Sequence, residues 1–205
     1  MKILIATKNN SKFEIISRML YSILGNNILI KSLNDYDYFV DKDEIGTNIE
    51  RAKAKAKNAE EQVKEDFDYI LGIDDGIIID GKEYVTVKDH LYDIVVGDKI
   101  KIGSIIYITR AYFLISNDKK EVLCYNKIPY IVRKKLDTVE MGGYPLNSVI
   151  STVDNDTVLT ERSNEELNDY FLKYSIDDLR TMFNNGVTVW HTTDVGNYTL
   201  SNNEI

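Results

Sequence analysis

The chain has one cysteine and two prolines in 205 residues, and it has no excess of basic side chains. A lone cysteine, Cys124, excludes an intrachain disulfide and a multi-cysteine metal site, and makes a reducing cytoplasm the expected location. So few prolines argue against disordered linkers. Acidic residues outnumber basic ones 33 to 25, giving a net charge of -8 and a pI near 4.9. That balance disfavours sequence-independent binding to a nucleic acid backbone, which needs a basic surface. Long apolar runs are lacking too. The opening Met1–Ala6 segment is too short for a signal peptide, and no later segment reaches membrane-spanning length without a charge. Neither a nucleic acid nor a membrane is an expected partner.

What remains is the composition of a soluble globular protein, 43% hydrophobic and 28% charged, long enough to bury a sizeable core in one domain. The most informative stretch is Tyr69-Ile70-Leu71-Gly72-Ile73-Asp74-Asp75-Gly76. An unalternating apolar run of this length predicts a strand covered on both faces, as in the parallel sheets of α/β proteins. Ligands of such sheets sit beyond the strands' carboxyl ends, where Asp74 and Asp75 are expected to fall. Neighbouring residues of a straight strand face opposite ways, so both carboxylates serve one site only if the strand is turning, which Gly76 would permit. Asp-Asp-Gly also reads as an ordinary polar turn.

Ile3–Ala6 predicts a second buried strand, followed by the polar loop Thr7–Lys12 and a helix whose apolar face carries Phe13, Ile16, Leu20, Ile23 and Leu24. Ser11 and Glu14 have capping-box spacing and set the expected helix start. Strand, polar loop and helix N-terminus together form a natural anion site, to which Thr7, Asn9 and Lys12 can add a hydroxyl, an amide and a cation. Lys12 also reads as a solvated side chain. Thr47 with Glu50 opens another helix, about Asn48–Val63, with Ala52, Ala56, Ala59 and Val63 on a close-packing face. On it Arg51 with Lys55, and Lys53 with Lys57, form separate basic stripes, either solvated or facing an anion. Ser104–Ile115 and Glu121–Tyr125 predict an antiparallel hairpin, and Asn164 to about Phe183 a last helix. The resulting expectation is an α/β fold, a mixed central sheet flanked by helices with an antiparallel β lobe and a cleft between them. It forms one domain over 1–205, with 1–80 and 140–183 supplying most of the site and 184–205 an unassigned tail.

Three motifs in order resemble the inosine/xanthosine triphosphate pyrophosphatase family. Ala6-Thr7-Lys8-Asn9-Asn10-Ser11-Lys12 is similar to its N-terminal phosphate loop, and Glu44-Ile45-Gly46 with Asn48–Ala56 to its Glu-x-Gly segment and following helix. Ile73-Asp74-Asp75-Gly76 is similar to its Asp-Asp-Ser-Gly motif. Weaker similarity runs to about Phe183. The serine of the last motif is missing, and Arg51 stands where the family has asparagine. The base-binding loop is reduced to Gly142-Gly143-Tyr144-Pro145, and Phe171-Leu172-Lys173 replaces a Ser-His-Arg segment.

The resemblance implies Mg²⁺-dependent cleavage of ITP, dITP or XTP to the monophosphate and pyrophosphate. Glu44 and Asp74 are the expected metal ligands, since Mg²⁺ takes hard oxygen donors and binds through one or two carboxylates plus substrate phosphates. Asp75 is, by resemblance, the general base and an additional metal contact. Thr7, Asn9, Lys12 and Lys55 would hold the phosphates, Tyr144 would stack on the base, and Lys173 would meet its oxo group. A homodimer is implied by the family alone. The alternatives are a catalytically weak nucleotide-binding relative, or a pyrophosphatase with another base preference.

Overall fold

The computed structural model describes residues 1–139 and 145–190. Strand β1 (Lys2–Ala6) has Ile3, Leu4 and Ile5 fully buried, as its unalternating apolar run requires. It lies between β2 (Leu29–Ser32) and β3 (Tyr69–Ile79), parallel to both. Helix α1 (Asn10–Leu24) follows β1, but its cap is Asn9 and not Ser11: the Asn9 side chain accepts from the Lys12 amide at 2.9 Å. Ser11 falls inside the first turn. Helix α2 (Asn48–Gln62) has the expected capping box between Thr47 and Glu50, a motif worth about 1 kcal/mol. Its Ala52, Ala56 and Ala59 are fully buried against the sheet. The contact is tight enough that a Cβ at Gly72 of β3 would stand 2.0 Å from the Ala52 carbonyl oxygen.

β3 does not end at its carboxylates. Strand β5 (Ile105–Ser116) pairs with it antiparallel from Tyr69↔Ser116 to Ile78↔Tyr107, and this unbroken partner keeps the chain extended through Asp74 and Asp75. Gly76 makes no turn. It leaves room for the Thr109 hydroxyl, which a Cβ there would approach to 2.8 Å. The short strand β4 (Lys82–Tyr84) folds back on the end of β3, helix α3 (Leu91–Val95) comes next, and β6 (Glu121–Val132) completes the predicted hairpin with β5. Strand β7 (Ile150–Thr152) extends the sheet, whose main order is β2-β1-β3-β5-β6-β7. Helix α4 (Asn164–Asn185) then packs on α1 through the buried Leu179 and Met182. Part of the unassigned tail is ordered by the sheet: β8 (Val189–Trp190) pairs parallel with Cys124–Tyr125 of β6, and Trp190 packs on the Tyr125 ring.

β3, β5 and β6 run through both halves of this mixed sheet. One apolar core, including Ile3, Ile16, Leu71 and Leu179, lies under α1 and α4; another, including Ile79, Ile94, Tyr130 and Tyr170, fills the far half. Between the halves the sheet carries a polar belt. β1 stops pairing with β3 at Gly72 and β4 begins only at Ile77, so Ile73–Gly76 have no strand neighbour on that side. The carboxylates stand at this gap. Among the described residues no helix is long and apolar enough to cross a membrane.

Candidate functional site

Alternation along an extended strand sends Asp74 and Asp75 to opposite faces, and their partners confirm it. Asp74 faces α2, where Lys55 Nζ bonds its Oδ1 and Arg51 Nε lies 3.2 Å from its Oδ2. Asp75 faces α1 and is held from both sides. Arg110 of β5, its direct cross-strand neighbour, donates from Nε to Oδ1 (2.5 Å) and from Nη2 to Oδ2 (3.2 Å), while Lys12 Nζ pairs with Oδ2 at 3.0 Å.

At the gap in the sheet the two faces are linked by the charge of Lys12, which acts on both aspartates. Lys55 Nζ also donates to the Ile73 carbonyl at 3.3 Å, satisfying a main-chain acceptor beside the missing strand. Glu44 reaches the same place from the loop before α2: its Oε2 lies 3.1 Å from Lys55 Nζ and accepts from Arg51 Nη2 at 3.3 Å. Glu44 and Asp74 thus share Lys55 and Arg51. Arg51 Nη1 further donates to the Val85 carbonyl at 3.4 Å, tying α2 to the segment after β4. Thr7 lies at the end of β1, its hydroxyl accepting from the Asn9 amide at 3.2 Å. A cleft of about 340 Å³ borders this group through Glu44 and Lys55 and is lined also by Thr7, Lys8, Phe39 and Asn58 among others; Asp74, Asp75, Lys12 and Arg51 are not among its lining residues. Small-ligand sites start at about 300 Å³.

Burial raises the Asp74 carboxyl above its ordinary range, and Lys55, Arg51 and Lys12 oppose that rise without cancelling it. Lys12 therefore acts on both aspartates. For Asp75 the order of strengths is reversed. Burial pushes its carboxyl up, but Arg110 and Lys12 together outweigh burial and hold it well below the usual carboxylate range. In this arrangement Asp75 is a firmly ionised anion and a weak proton acceptor. Releasing Lys12 to a ligand would relieve part of that clamp.

Glu44, Asp74 and Asp75 face four cations, Lys12, Arg51, Lys55 and Arg110, so the site carries a small positive excess suited to a polyanion. The three carboxylates do not form one cluster, and among the described residues no group of three or more acidic, histidine or cysteine side chains is arranged for a metal. The pair Glu44 and Asp74 does suit Mg²⁺ in the form that uses two carboxylates and substrate phosphates. Asp74 Oδ2 is buried without a hydrogen bond, because the nearby Arg51 Nε–H is not aimed at it.

Of the other expected residues, Asn9 spends its side-chain oxygen on the α1 cap. Lys173 is exposed and pairs with Asp154 at 3.7 Å, apart from the gap's ion pairs. Tyr144 and the glycines beside it lie outside the described residues, as does 191–205 of the tail. Sequence reasoning missed Arg110. Its signal was a lone charge inside the apolar run Ser104–Ile115, whose meaning depends on the register that sets it opposite Asp75.

Three solved structures share this fold over most of their length. The Staphylococcus aureus Ham1 protein is 14% identical with a TM-score of 0.63, covering 91% of this chain and 100% of that one. A HAM1 protein from Coxiella burnetii is 16% identical with a TM-score of 0.64, covering 89% and 98%. A nucleoside-triphosphatase, dITP/XTP pyrophosphatase, from Mycobacterium abscessus is 17% identical with a TM-score of 0.57, covering 84% and 95%. The C-terminal domain of the tail knob protein gp9 of Bacillus phage phi29 matches residues 160–203. The gp9 tail knob protein of Bacillus phage PZA is 52% identical over 27 residues, which is 13% of this chain and 4% of that protein's length. The matched segment contains α4, whose Leu179 and Met182 are fully buried in the core, so here that helix is an integral part of the fold. The fold is that of the Ham1-type structures.

Proposed function

We propose that the chain hydrolyses nucleoside triphosphates at the α–β phosphoanhydride, releasing the monophosphate and pyrophosphate, with ITP, dITP and XTP as first candidates. The observation that carries this reading is the grouping at one sheet gap of two carboxylates and two cations on one face with the Lys12–Asp75 pair on the other. Lys12 and Lys55 would bind the phosphates, with the Thr7 hydroxyl at the head of the loop. Glu44 and Asp74 would hold Mg²⁺, which when bound supplies positive charge to the phosphate oxygens. As phosphate draws Lys12 away, Asp75 is left to Arg110 alone and orients the attacking water, accepting its proton. Positioning and electrostatics provide most of the rate in such chemistry.

The fold shared with a dITP/XTP pyrophosphatase supports this reading. Family resemblance adds a homodimer, which sedimentation equilibrium tests, and the lone Cys124 adds a reducing cytoplasm as the location. The deciding experiment measures pyrophosphate release from ITP, dITP, XTP and the common nucleotides, with and without Mg²⁺. Mg²⁺-dependent release from any of them supports the reading, and release from common or pyrimidine nucleotides alone redirects its base preference. A second reading, nucleotide binding without turnover, is favoured by the Arg110 clamp on Asp75. Binding across the panel with no pyrophosphate would select it.

A further inference from the structure

We propose that Arg51 is a built-in counterion that keeps Glu44 and Asp74 from holding a divalent cation until a polyphosphate draws its guanidinium aside. Metal and polyphosphate then load together. The inference rests on the polyphosphate reading above but not on turnover.

Three observations support it. Arg51 and Lys55 both lie within ion-pair distance of both carboxylates: Arg51 at 3.3 Å from Glu44 and 3.2 Å from Asp74, Lys55 at 3.1 Å from Glu44 and in direct contact with Asp74. Two negative and two positive charges cancel, so a free dication gains little field there and must displace a cation to enter. The second observation is geometric. Arg51 approaches Asp74 Oδ2 without hydrogen-bonding it, so that buried oxygen keeps lone pairs for a ligand once the guanidinium moves. The third is anchoring. Arg51 already donates from Nη1 to one acceptor apart from the carboxylates, the Val85 carbonyl at 3.4 Å, so it can leave the carboxylates without losing that partner. An arginine stays charged at any working pH, so only a stronger anion releases it. A polyphosphate with several negative charges meets that requirement.

The test uses Mn²⁺ as the probe and reads metal binding rather than hydrolysis. Electron paramagnetic resonance gives the affinity for Mn²⁺ alone in the intact chain, Arg51→Gln and Arg51→Lys. Arg51→Gln is expected to bind at least about tenfold more tightly than the intact chain, because removing one cation leaves a net negative pair. Arg51→Lys, which keeps the charge, should match the intact chain. Equal affinity for the intact chain and Arg51→Gln overturns the proposal. Should Arg51→Gln fail to fold by circular dichroism, the intact chain still decides. Its Mn²⁺-induced enhancement of water proton relaxation must rise when inorganic tripolyphosphate is added, above that of Mn²⁺ and tripolyphosphate without protein. No rise overturns the proposal. A chain that passes these tests yet hydrolyses no nucleotide refutes the pyrophosphatase reading and leaves the counterion role standing.

Discussion

Replacing Gly72 by alanine tests how tightly the site depends on the contact between α2 and β3. The new Cβ would lie 2.0 Å from the Ala52 carbonyl oxygen and 2.8 Å from the Ala56 amide nitrogen, where ordinary contact begins at 3.4 Å. Both atoms are main chain, so rotamer adjustment gives no relief and the helix must retreat by upward of about 1 Å. Overpacking of this kind costs about 1–3 kcal/mol, and the retreat also opens space along the buried Ala52, Ala56 and Ala59 face. A total loss of about 3 kcal/mol or more is expected in urea unfolding followed by circular dichroism. α2 also carries Arg51 and Lys55, and in the proposed hydrolysis a misplacement of about 1 Å costs on the order of a hundredfold in rate. Adding Ala56→Gly should not restore stability, since it removes only the Ala56 Cβ contact at 2.9 Å and leaves the carbonyl clash. A loss under about 1 kcal/mol for Gly72→Ala would refute the argument, because the packing would then be looser than this contact allows.

Three further outcomes are expected. Arg110→Leu leaves Asp75 to Lys12 alone and should cost about 2–4 kcal/mol, at the low end for a broken ion pair because the Asp75 side chain is 23% exposed. The double change Asp75→Asn with Arg110→Leu should recover more than half of that loss in equilibrium unfolding, and strict additivity would refute the clamp. Asn9→Ala should cost about 1 kcal/mol through loss of the α1 cap, whereas Asn9→Asp should keep most of the stability. Glu65 is held down to about 2 by Lys2, then by Tyr36 and Lys31, from an ordinary 4.5. Its contribution is therefore full above pH 4.5 and lost as pH falls through about 2. The stability difference between the intact chain and Glu65→Gln should shrink over that window, and a difference unchanged at pH 2 would contradict the assignment.

Much of the scaffold was legible because its causes are local. Unalternating Ile and Leu announced β1 and β3, the Thr47 and Glu50 pair marked the start of α2, and the alanine stripe named the face that meets the sheet. The Arg51 and Lys55 stripe, one turn apart, was visible as a possible anion-facing pair, and both residues do stand at the carboxylates. Periodicity could not show which strand would continue past Asp75, because that depends on β5, whose paired residue Arg110 is 35 positions away in sequence. Ser11 was the expected cap by its spacing to Glu14, and only the folded loop shows that Asn9 caps the helix instead.

The sequence by itself determined the apolar faces, the helix starts and the order of the charged motifs, since each is a property of neighbours along the chain. Tertiary structure decided how the charges meet. Register set Arg110 against Asp75, strand alternation parted Asp75 from Asp74, and the ends of β1 and β4 pairing left Ile73–Gly76 without a strand neighbour on one side. Strand pairing is a long-range choice, and a shift of one residue would turn every side chain of β3 to the other face.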